Sequence, residues 1–216
     1  MEKMIDFFSS RVDIYDEHML ANVEGCKEGY IKLSQLIPKQ CKNILDLGCG
    51  TGLELYEVFK LFPNVSVTGI DLTPAMLEKL EQKYLDKSVN LICGDYFKVD
   101  LGKEKYDCAI SFQTMHHFPK DKKSLLYKKI FNAIKKDGLY IECDYMVTNV
   151  EEENLYLKES ELARKEMNNS EEEFYHYDIP CTIDNQILLL KNAGFLNVES
   201  KFRQGNTTII VAYKKV

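Results

Sequence analysis

The stretch that decides the fold is Ile44-Leu45-Asp46-Leu47-Gly48-Cys49-Gly50-Thr51-Gly52-Leu53, in which an apolar, strand-like run meets three alternate glycines and then a helical segment. Glycine is needed where the backbone takes a positive φ or where a ligand approaches the main chain closely. At the carboxyl end of the first strand of a doubly wound sheet, such a turn borders the crevice that binds ligands. The pattern predicts a ligand-binding turn, although an ordinary tight connection between a strand and a helix uses the same glycines.

Strand-like and helical segments alternate along most of the chain. The predicted strands are 43–47, 65–71, 89–93, 106–112, 139–143, 198–203 and 207–213, and the predicted helical segments are 1–37, 53–62, 74–85, 122–135 and 182–193. This alternation is typical of βαβ units, which build a parallel sheet covered by helices on both faces. The pair Gly205–Asn206 predicts a hairpin between the last two strands. We therefore expect a doubly wound α/β fold, mostly parallel, with one antiparallel strand near its edge.

Composition narrows the class of protein. The 216 residues are 45% hydrophobic and carry a net charge of −6, which argues against a large basic surface for nucleic acid. No apolar run approaches the roughly 20 residues of a membrane span, and no signal peptide is visible, so a cytoplasmic protein is expected. Seven cysteines without a CxxC pair favour neither disulfides nor a zinc knuckle. Cys41, Cys93, Cys108 and Cys143 lie in or beside strand-like segments and are expected to be buried.

A single domain, 1–216, is expected, and it divides into four parts. These are an N-terminal helical cap at 1–38, a cofactor-binding half at 43–144, a substrate lid at 150–178, and a final helix and hairpin at 182–216. Residues 151–173 hold nine glutamates against three cations. If this segment covers a binding site, its negative charge would favour a substrate that is a cationic amine. Alternatively, the glutamates simply solvate an exposed helix face.

Acidic residues follow the first three predicted strands. Asp71 ends the second strand, where a carboxylate can accept both ribose hydroxyls of an adenosine or can favour the start of the next helix. Asp95 and Tyr96 follow the third strand, where they could meet an adenine ring or form a plain loop. Asp46 stands two residues before the first glycine, where a carboxylate would repel a pyrophosphate and attract an ammonium group. Adenosine together with an ammonium group describes S-adenosylmethionine rather than NAD.

At this point the sequence resembles the class I S-adenosylmethionine-dependent methyltransferases over residues 40–216. The matching segments are ILDLGCGTG (44–52), VTGIDLTPAML (67–77), LICGDYF (91–97), YDCAISFQTMHHF (106–118), KDGLYIECD (136–144) and LLLKNAGFLNVE (188–199). The resemblance implies a seven-stranded sheet whose last strand is antiparallel.

The resemblance also implies where the cofactor binds. Asp46 and the turn with Gly48, Gly50 and Gly52 would approach its methionine part, with Ser111 beside it at the end of the fourth strand. Asp71 would hold the ribose; the residues implied around the adenine are Leu72, Met76, Asp95 and Tyr96. In relatives with a similar N-terminal helix, the tyrosine of a "YD" pair covers the cofactor. Tyr15 is the candidate here, although packing of an amphipathic helix would also explain it.

Histidines and acids near the expected mouth are the candidate catalytic groups, namely His116, His117, Asp144 and His176. A base is needed only if the acceptor must lose a proton, and histidine titrates in the right range. The alternatives are that His116 and His117 only shape their loop and that His176 forms a surface pair with Asp178. A divalent metal held by His116 or His117 with Asp144 and His176 is a third hypothesis, which no fixed-spacing metal motif supports.

The residues at the end of the fourth predicted strand indicate which class of molecule accepts the methyl group. Enzymes of this class that methylate exocyclic amines of bases usually carry an (N/D)PP(Y/F) motif there, whereas this chain has Ser111-Phe112-Gln113-Thr114. Together with the acidic balance, this favours a small-molecule acceptor over nucleic acid. The alternatives are an RNA or protein methyltransferase and a non-catalytic S-adenosylmethionine-binding regulatory protein; a nicotinamide oxidoreductase is a third, which Asp46 opposes. The oligomeric state cannot be read from the sequence.

Overall fold

The computed structural model describes residues 2–167 and 173–215. The helices are α1 (Met4–Asn22), α2 (Cys26–Leu36), α3 (Leu53–Leu61), α4 (Pro74–Lys83), α5 (Lys120–Ala133), α6 (Val150–Glu166) and α7 (Ile183–Asn192). The strands are β1 (Asn43–Leu47), β2 (Ser66–Asp71), β3 (Val89–Cys93), β4 (Tyr106–Phe112), β5 (Ile134–Tyr145), β6 (Asn197–Gln204) and β7 (Thr207–Tyr213). A single 3-10 turn, Met115–His117, follows β4.

The seven strands form one sheet in the order β3-β2-β1-β4-β5-β7-β6. Strands β1 to β5 pair in parallel, whereas β7 is antiparallel to both β5 and β6. This confirms the predicted doubly wound, mostly parallel sheet with an antiparallel C-terminal strand. The strand order reverses between β1 and β4, and ligands bind at the carboxyl ends of the strands at such a switch point.

Both faces of the sheet are covered, so its central strands are apolar on both sides. On one face, Ile44 of β1 packs with side chains of α2, α3 and α4 such as Leu33 and Leu55. On the other face, Leu45 of β1 packs with side chains of α5 and α7 such as Tyr127. The two cores fix β1 and β4 rigidly beneath the glycine turn.

Three local predictions need correction. The helical stretch predicted for 1–37 is two helices, because Gly25 takes φ +79° and a Cβ there would lie 2.7 Å from the backbone oxygen of Gln204. Strand β5 begins at Ile134, directly after α5, with an irregular register before Leu139. Cys93 is exposed because it ends β3 at the edge of the sheet, whereas the other six cysteines are buried and all seven are free thiols.

None of the helices that the structure describes has the length and apolar character needed to cross a membrane.

Candidate active site

The glycine turn connects β1 to α3 with three left-handed residues. Gly48, Gly50 and Gly52 have φ values of +70°, +46° and +72°. A Cβ on Gly48 would lie 2.5 Å from Oγ1 of Thr114, so the chain after β4 passes directly against this glycine. The nearest atom to a Cβ on Gly50 would be a ring carbon of Tyr15 at 4.0 Å. The backbone is therefore open to a ligand at Gly50, beneath the Tyr15 ring.

Asp71, at the end of β2, is fixed against this turn. Its Oδ2 accepts a hydrogen bond from the Gly50 N–H at 2.9 Å, and its Oδ1 accepts one from the Thr73 N–H at 2.8 Å. Burial raises the pKa of Asp71, and these hydrogen bonds oppose the rise. The carboxylate is thus placed beside the glycine turn with lone pairs remaining for a ligand's hydroxyl groups.

A pocket forms around these groups at the carboxyl ends of β1, β2 and β4. The predicted cofactor residues that line it are Tyr15, Gly48, Gly50, Asp71, Leu72, Met76, Asp95 and Tyr96. The sequence missed nine further lining residues, namely Met4, Phe8, Thr73, Gly94, Phe112, Gln113, Thr114, Phe118 and Phe174. His117, predicted as a catalytic residue, lines this pocket as well. The Tyr96 hydroxyl lies 3.1 Å from Oγ1 of Thr114, so the loops after β3 and β4 meet across this pocket.

Asp46 lies behind the pocket rather than in its wall. Its side chain is fully buried, and neither carboxylate oxygen meets hydrogen-bond geometry with any group in residues 2–167 and 173–215. Glu54, buried on α3, lies close enough to interact with it. Burial first, and the charge of Glu54 second, raise the pKa of Asp46 well above its ordinary value. Two buried carboxyls side by side are costly to ionise, and a cationic ligand group that reaches Asp46 would relieve that cost.

Two other predicted cofactor residues face away from the pocket. Ser111 pairs in register with Leu47, and its Oγ lies 2.6 Å from the Tyr140 hydroxyl, inside the core beneath α5 and α7. Alternate side chains of β4 point to opposite faces, and Ser111 falls on the face opposite α3. Gly52 packs against Leu80 and Tyr84 of the α4 region instead of a ligand. The structure therefore does not bring Ser111 to the methionine end of the pocket.

Helix α1 is held over the glycine turn by Asp16. Its Oδ1 accepts a hydrogen bond from the Thr51 hydroxyl at 2.5 Å, and its Oδ2 lies 2.5 Å from Nζ of Lys83. These contacts place the neighbouring Tyr15 above Gly50. The two residues of the "YD" pair therefore have different roles, since Asp16 holds the helix in place and Tyr15 covers the pocket.

A second cavity of about 580 Å³ adjoins the first. Phe8, Tyr15, Gln113 and His117 line both. The wall formed by α1 consists of Phe7, Phe8, Arg11, Ile14, Tyr15, His18, Met19 and Asn22, and the opposite wall includes His116, His117, Tyr145, His176 and Asp178. We call this second space the histidine-lined cavity. Its volume is in the range that small-molecule sites occupy.

The predicted catalytic residues meet in this cavity, with one exception. Asp144 lies behind His116, and its Oδ1 is 2.5 Å from Nδ1 of that histidine. Burial alone would lower the pKa of His116, but the carboxylates of Asp144 and Asp178 raise it to about 9. Burial and the neighbouring His116 lower the pKa of His117. Burial, with His117, lowers the pKa of His176 to about 4.

His176 and Asp178 do not form the pair that the sequence left open. The His176 ring stacks on Phe7 with centroids 3.6 Å apart, whereas Asp178 faces Nε2 of His116 at 3.5 Å and Nδ1 of His117 at 3.4 Å. The group of potential metal ligands is therefore His116, His117 and Asp178. It is not the predicted set with Asp144 and His176, because Asp144 contacts the far nitrogen of His116.

Among the described residues of the predicted lid at 150–178, those that line the cavities are Phe174, His176 and Asp178. Helix α6 lies behind the cavity wall, where the Tyr156 hydroxyl is 2.7 Å from that of Tyr145. It is anchored by buried Glu153, which accepts hydrogen bonds from the Thr182 N–H and the Asn185 side chain. The part of this prediction at 168–172 falls outside the described residues. Helix α1, which belongs to the N-terminal helical cap predicted at 1–38, supplies more of the cavity wall than the predicted lid does.

The reversed strand order, the glycine turn and the acid at the end of β2 define a class of enzyme, the class I methyltransferases that use S-adenosylmethionine. Residues 44–138 match the family described as Methyltransferase domain. The fold and this match support an S-adenosylmethionine-dependent enzyme of this class.

Two proteins of similar sequence and one solved structure of similar fold illustrate what the chain resembles. A carboxy-S-adenosyl-L-methionine synthase of Nautilia profundicola is 27% identical over 227 residues, covering 99% of this chain and 96% of that protein. A malonyl-(acyl-carrier protein) O-methyltransferase of Priestia megaterium is 34% identical over 131 residues, covering 61% of this chain and 47% of that protein. The crystal structure of human N-acetylserotonin methyltransferase with S-adenosylmethionine matches 97% of this chain at 20% identity with a TM-score of 0.70, and the chain spans 56% of its length.

Proposed function

We propose that this enzyme transfers the methyl group of S-adenosylmethionine to a small-molecule acceptor bound in the histidine-lined cavity. The observation that carries the proposal is the wall that the two cavities share. Phe8, Tyr15, Gln113 and His117 line both, so an acceptor and a cofactor would meet there. Methyl transfer is accelerated mainly by holding the acceptor about 3–3.5 Å from the methyl group in line with the breaking bond.

The cofactor roles follow from placement around the first pocket. Asp71 would accept the ribose hydroxyls, and the adenine would lie among Leu72, Met76, Asp95 and Tyr96. Gly48 and Gly50 would face the methionine part, whose ammonium group would give Asp46 the partner that it lacks among the described residues. S-adenosylmethionine supplies an activated methyl group on a positively charged sulfur, so the protein need only bind, orient and, for some acceptors, remove a proton.

The histidines would provide that proton transfer. His117 stands on the shared wall, and His176 lies 4.9 Å from it between ring centroids. Asp144 holds Nδ1 of His116, which fixes the direction of its Nε2 into the cavity. An acceptor that carries a hydroxyl, amine or thiol would lie against this cluster.

A small acceptor fits the cavity better than RNA or a protein does. In the described part of the chain, Arg11 is the one arginine or lysine of the cavity wall, against Glu24 and Asp178. A polyanion would require a basic rim beside the pocket. Helix α1 also encloses the cavity along its length, which favours a compact molecule. The cytoplasmic location stays a prediction, which cell fractionation would test.

A second candidate is the formation of a carboxylated cofactor, because a carboxy-S-adenosyl-L-methionine synthase aligns over nearly the whole chain. Such a product carries an added carboxylate, so a carboxylic acid must donate CO2 to the methyl carbon and take up the proton that the methyl group loses. Arg11 is the cationic side chain available for these carboxylates in the described cavity wall.

One experiment separates these candidates. The purified enzyme is incubated with S-adenosylmethionine and pooled phenols, amines, thiols and carboxylic acids, with tRNA and peptide pools in parallel, and the products are followed by mass spectrometry. Methyl transfer gives S-adenosylhomocysteine and an acceptor heavier by one CH2 group, whereas the second candidate gives a cofactor heavier by one CO2 unit. Tight cofactor binding without either product would contradict both and indicate a binding protein. Methylation confined to the tRNA or peptide pools would contradict the small-molecule acceptor.

A further inference from the structure

Three side chains converge on one point in the wall of the histidine-lined cavity. One ligand atom each from His116, His117 and Asp178 lies within 4.8 Å of the others. We infer that these residues bind a divalent transition-metal ion. The His116 and His117 side chains come from the turn after β4, whereas Asp178 comes from the segment before α7, so the fold brings together ligands that are some sixty positions apart in the sequence.

The spacing suits an ion better than it suits direct hydrogen bonds. Asp178 Oδ1 lies 3.5 Å from Nε2 of His116 and 3.4 Å from Nδ1 of His117. Hydrogen bonds between nitrogen and oxygen are shorter, mostly about 2.7–3.2 Å. Two ligands that each lie about 2.1 Å from a tetrahedral ion are about 3.4 Å apart. An ion between Asp178 and either histidine would thus need little movement of the side chains, and all three ligand atoms lie within 4.8 Å of one another.

The surroundings of His116 match those of a metal ligand. Its Nδ1 lies 2.5 Å from Oδ1 of Asp144, which also accepts a hydrogen bond from the Tyr145 N–H at 3.0 Å. Histidine ligands commonly donate their second N–H to a carboxylate, which orients the ring and frees the other nitrogen for the ion. Asp144 is therefore a positioning residue for Nε2 of His116.

The position of His117 defines its required tautomer. A carbonyl oxygen only accepts, so without an ion Nδ1 of His117 carries a proton and donates it to the Tyr177 oxygen at 3.2 Å. Ion binding therefore requires that the proton move to Nε2, which leaves Nδ1 free for the ion. The carbonyl of Tyr177 would then lie near the ion as a further oxygen donor.

The site has open positions. His116 and His117 are buried, the side chain of Asp178 is 38% exposed, and all three line the cavity of about 580 Å³. Two imidazoles and one carboxylate suit zinc, cobalt, iron or nickel better than magnesium or calcium. The remaining positions would face water or an oxygen of a bound molecule. Ion binding does not depend on the transfer reaction, and it can be measured without an acceptor.

The test uses the full chain without a histidine tag, stripped with a chelator and titrated with Zn²⁺ by calorimetry and with Co²⁺ by absorption spectroscopy. We expect one ion per chain and Co²⁺ bands of a site with imidazole ligands. Asp178→Asn and His117→Gln should each weaken binding at least about 100-fold. His18→Gln is the matched control, because His18 lines the same cavity from α1 but contacts Asn22 instead of the cluster. It should bind the ion as the wild type does.

Failure of the wild type to bind either ion would overturn the inference, as would equal binding by wild type and both cluster variants. Circular dichroism and S-adenosylmethionine affinity show whether each variant keeps its fold, and His117→Gln decides the matter if Asp178→Asn does not fold. Ion binding by a chain that transfers nothing to any acceptor would contradict the proposed function and leave the metal site standing. Methyl transfer by a chain that binds no ion would overturn the metal site and leave the proposed function standing.

Discussion

Oδ2 of Asp71 accepts a hydrogen bond from the backbone N–H of Gly50 at 2.9 Å, and this bond ties the end of β2 to the glycine turn after β1. The same carboxylate also holds the Thr73 N–H at the start of α4. One side chain therefore sets the spacing between the turn and the residues proposed to hold the cofactor's adenosine. The cofactor proposal depends on this arrangement.

Asp71→Ala should weaken S-adenosylmethionine binding at least about tenfold, because the acceptor proposed for the ribose is lost together with the support of the turn. The free energy of unfolding should fall by only about 1–2 kcal/mol, so the variant should still fold. Calorimetric titration and urea unfolding measure the two quantities. Asp100→Ala is the matched control, since Asp100 Oδ1 accepts the Gly102 N–H at 2.9 Å in an exposed turn. Unchanged affinity in Asp71→Ala would contradict the placement of the adenosine.

Asp46→Asn should weaken S-adenosylmethionine binding without destabilising the free protein. The carboxyl of Asp46 is buried beside Glu54, and both burial and Glu54 raise its pKa, so an amide there replaces a group whose ionisation the fold already disfavours. We expect the melting temperature of the free protein to stay the same or rise, and S-adenosylmethionine affinity to fall about tenfold because the ammonium group loses its counter-charge. Thermal unfolding with and without the cofactor measures both. A variant that loses stability but keeps its affinity would show that Asp46 has only a structural role.

Gly48→Ala should destabilise the fold more than an equally strained glycine substitution elsewhere. A Cβ at Gly48 would lie 2.5 Å from Oγ1 of Thr114, whereas at Gly102, where φ is +75°, the nearest atom would be Cδ of Lys105 at 3.6 Å. Both variants place alanine at a positive φ, but only Gly48→Ala adds a clash, worth a further loss of about 1–3 kcal/mol. Urea unfolding of the two variants measures the difference. Equal losses would mean that the chain after β4 does not press on the turn.

Glu142→Gln should change how stability depends on pH. Burial first, and the charge of Asp144 second, raise the pKa of Glu142 to about 7 in the fold. An acid whose pKa is raised by folding holds its proton more tightly in the folded state, so its contribution to stability falls as the pH rises from about 4.5 to 7. The free energy of unfolding of the wild type, relative to Glu142→Gln, should therefore drop by a few kcal/mol between pH 5 and pH 7.5. Urea unfolding at the two pH values checks this, and an equal difference at both would contradict a raised pKa.

Local patterns were enough to predict the sheet and half of the site. Apolar runs alternating with helical segments gave the βαβ order, and because parallel strands end at the same edge, Gly50, Asp71 and Asp95 had to meet there. The antiparallel strand could be predicted as well, because the pair Gly205–Asn206 is a local signal for a hairpin.

The remaining features depend on tertiary packing that no local pattern encodes. Strand β4 is buried on both faces, so its sequence does not tell which face Ser111 takes. Asp178 reaches His116 and His117 only because the segment before α7 returns over the turn after β4. Helix α1 lines the histidine-lined cavity with Phe7, Phe8 and Arg11, and its direction follows from the contact of Asp16 with Thr51. The sequence predicted a helical cap at 1–38, but within it only the tyrosine next to an aspartate indicated a residue at the site.

The most direct measurement is a crystal structure of the enzyme with S-adenosylmethionine bound. The account predicts the ribose hydroxyls on Asp71, the ammonium group directed toward Asp46, and the methyl group pointing past His117 into the histidine-lined cavity. A cofactor bound elsewhere, or one whose methyl group points away from that cavity, would contradict it.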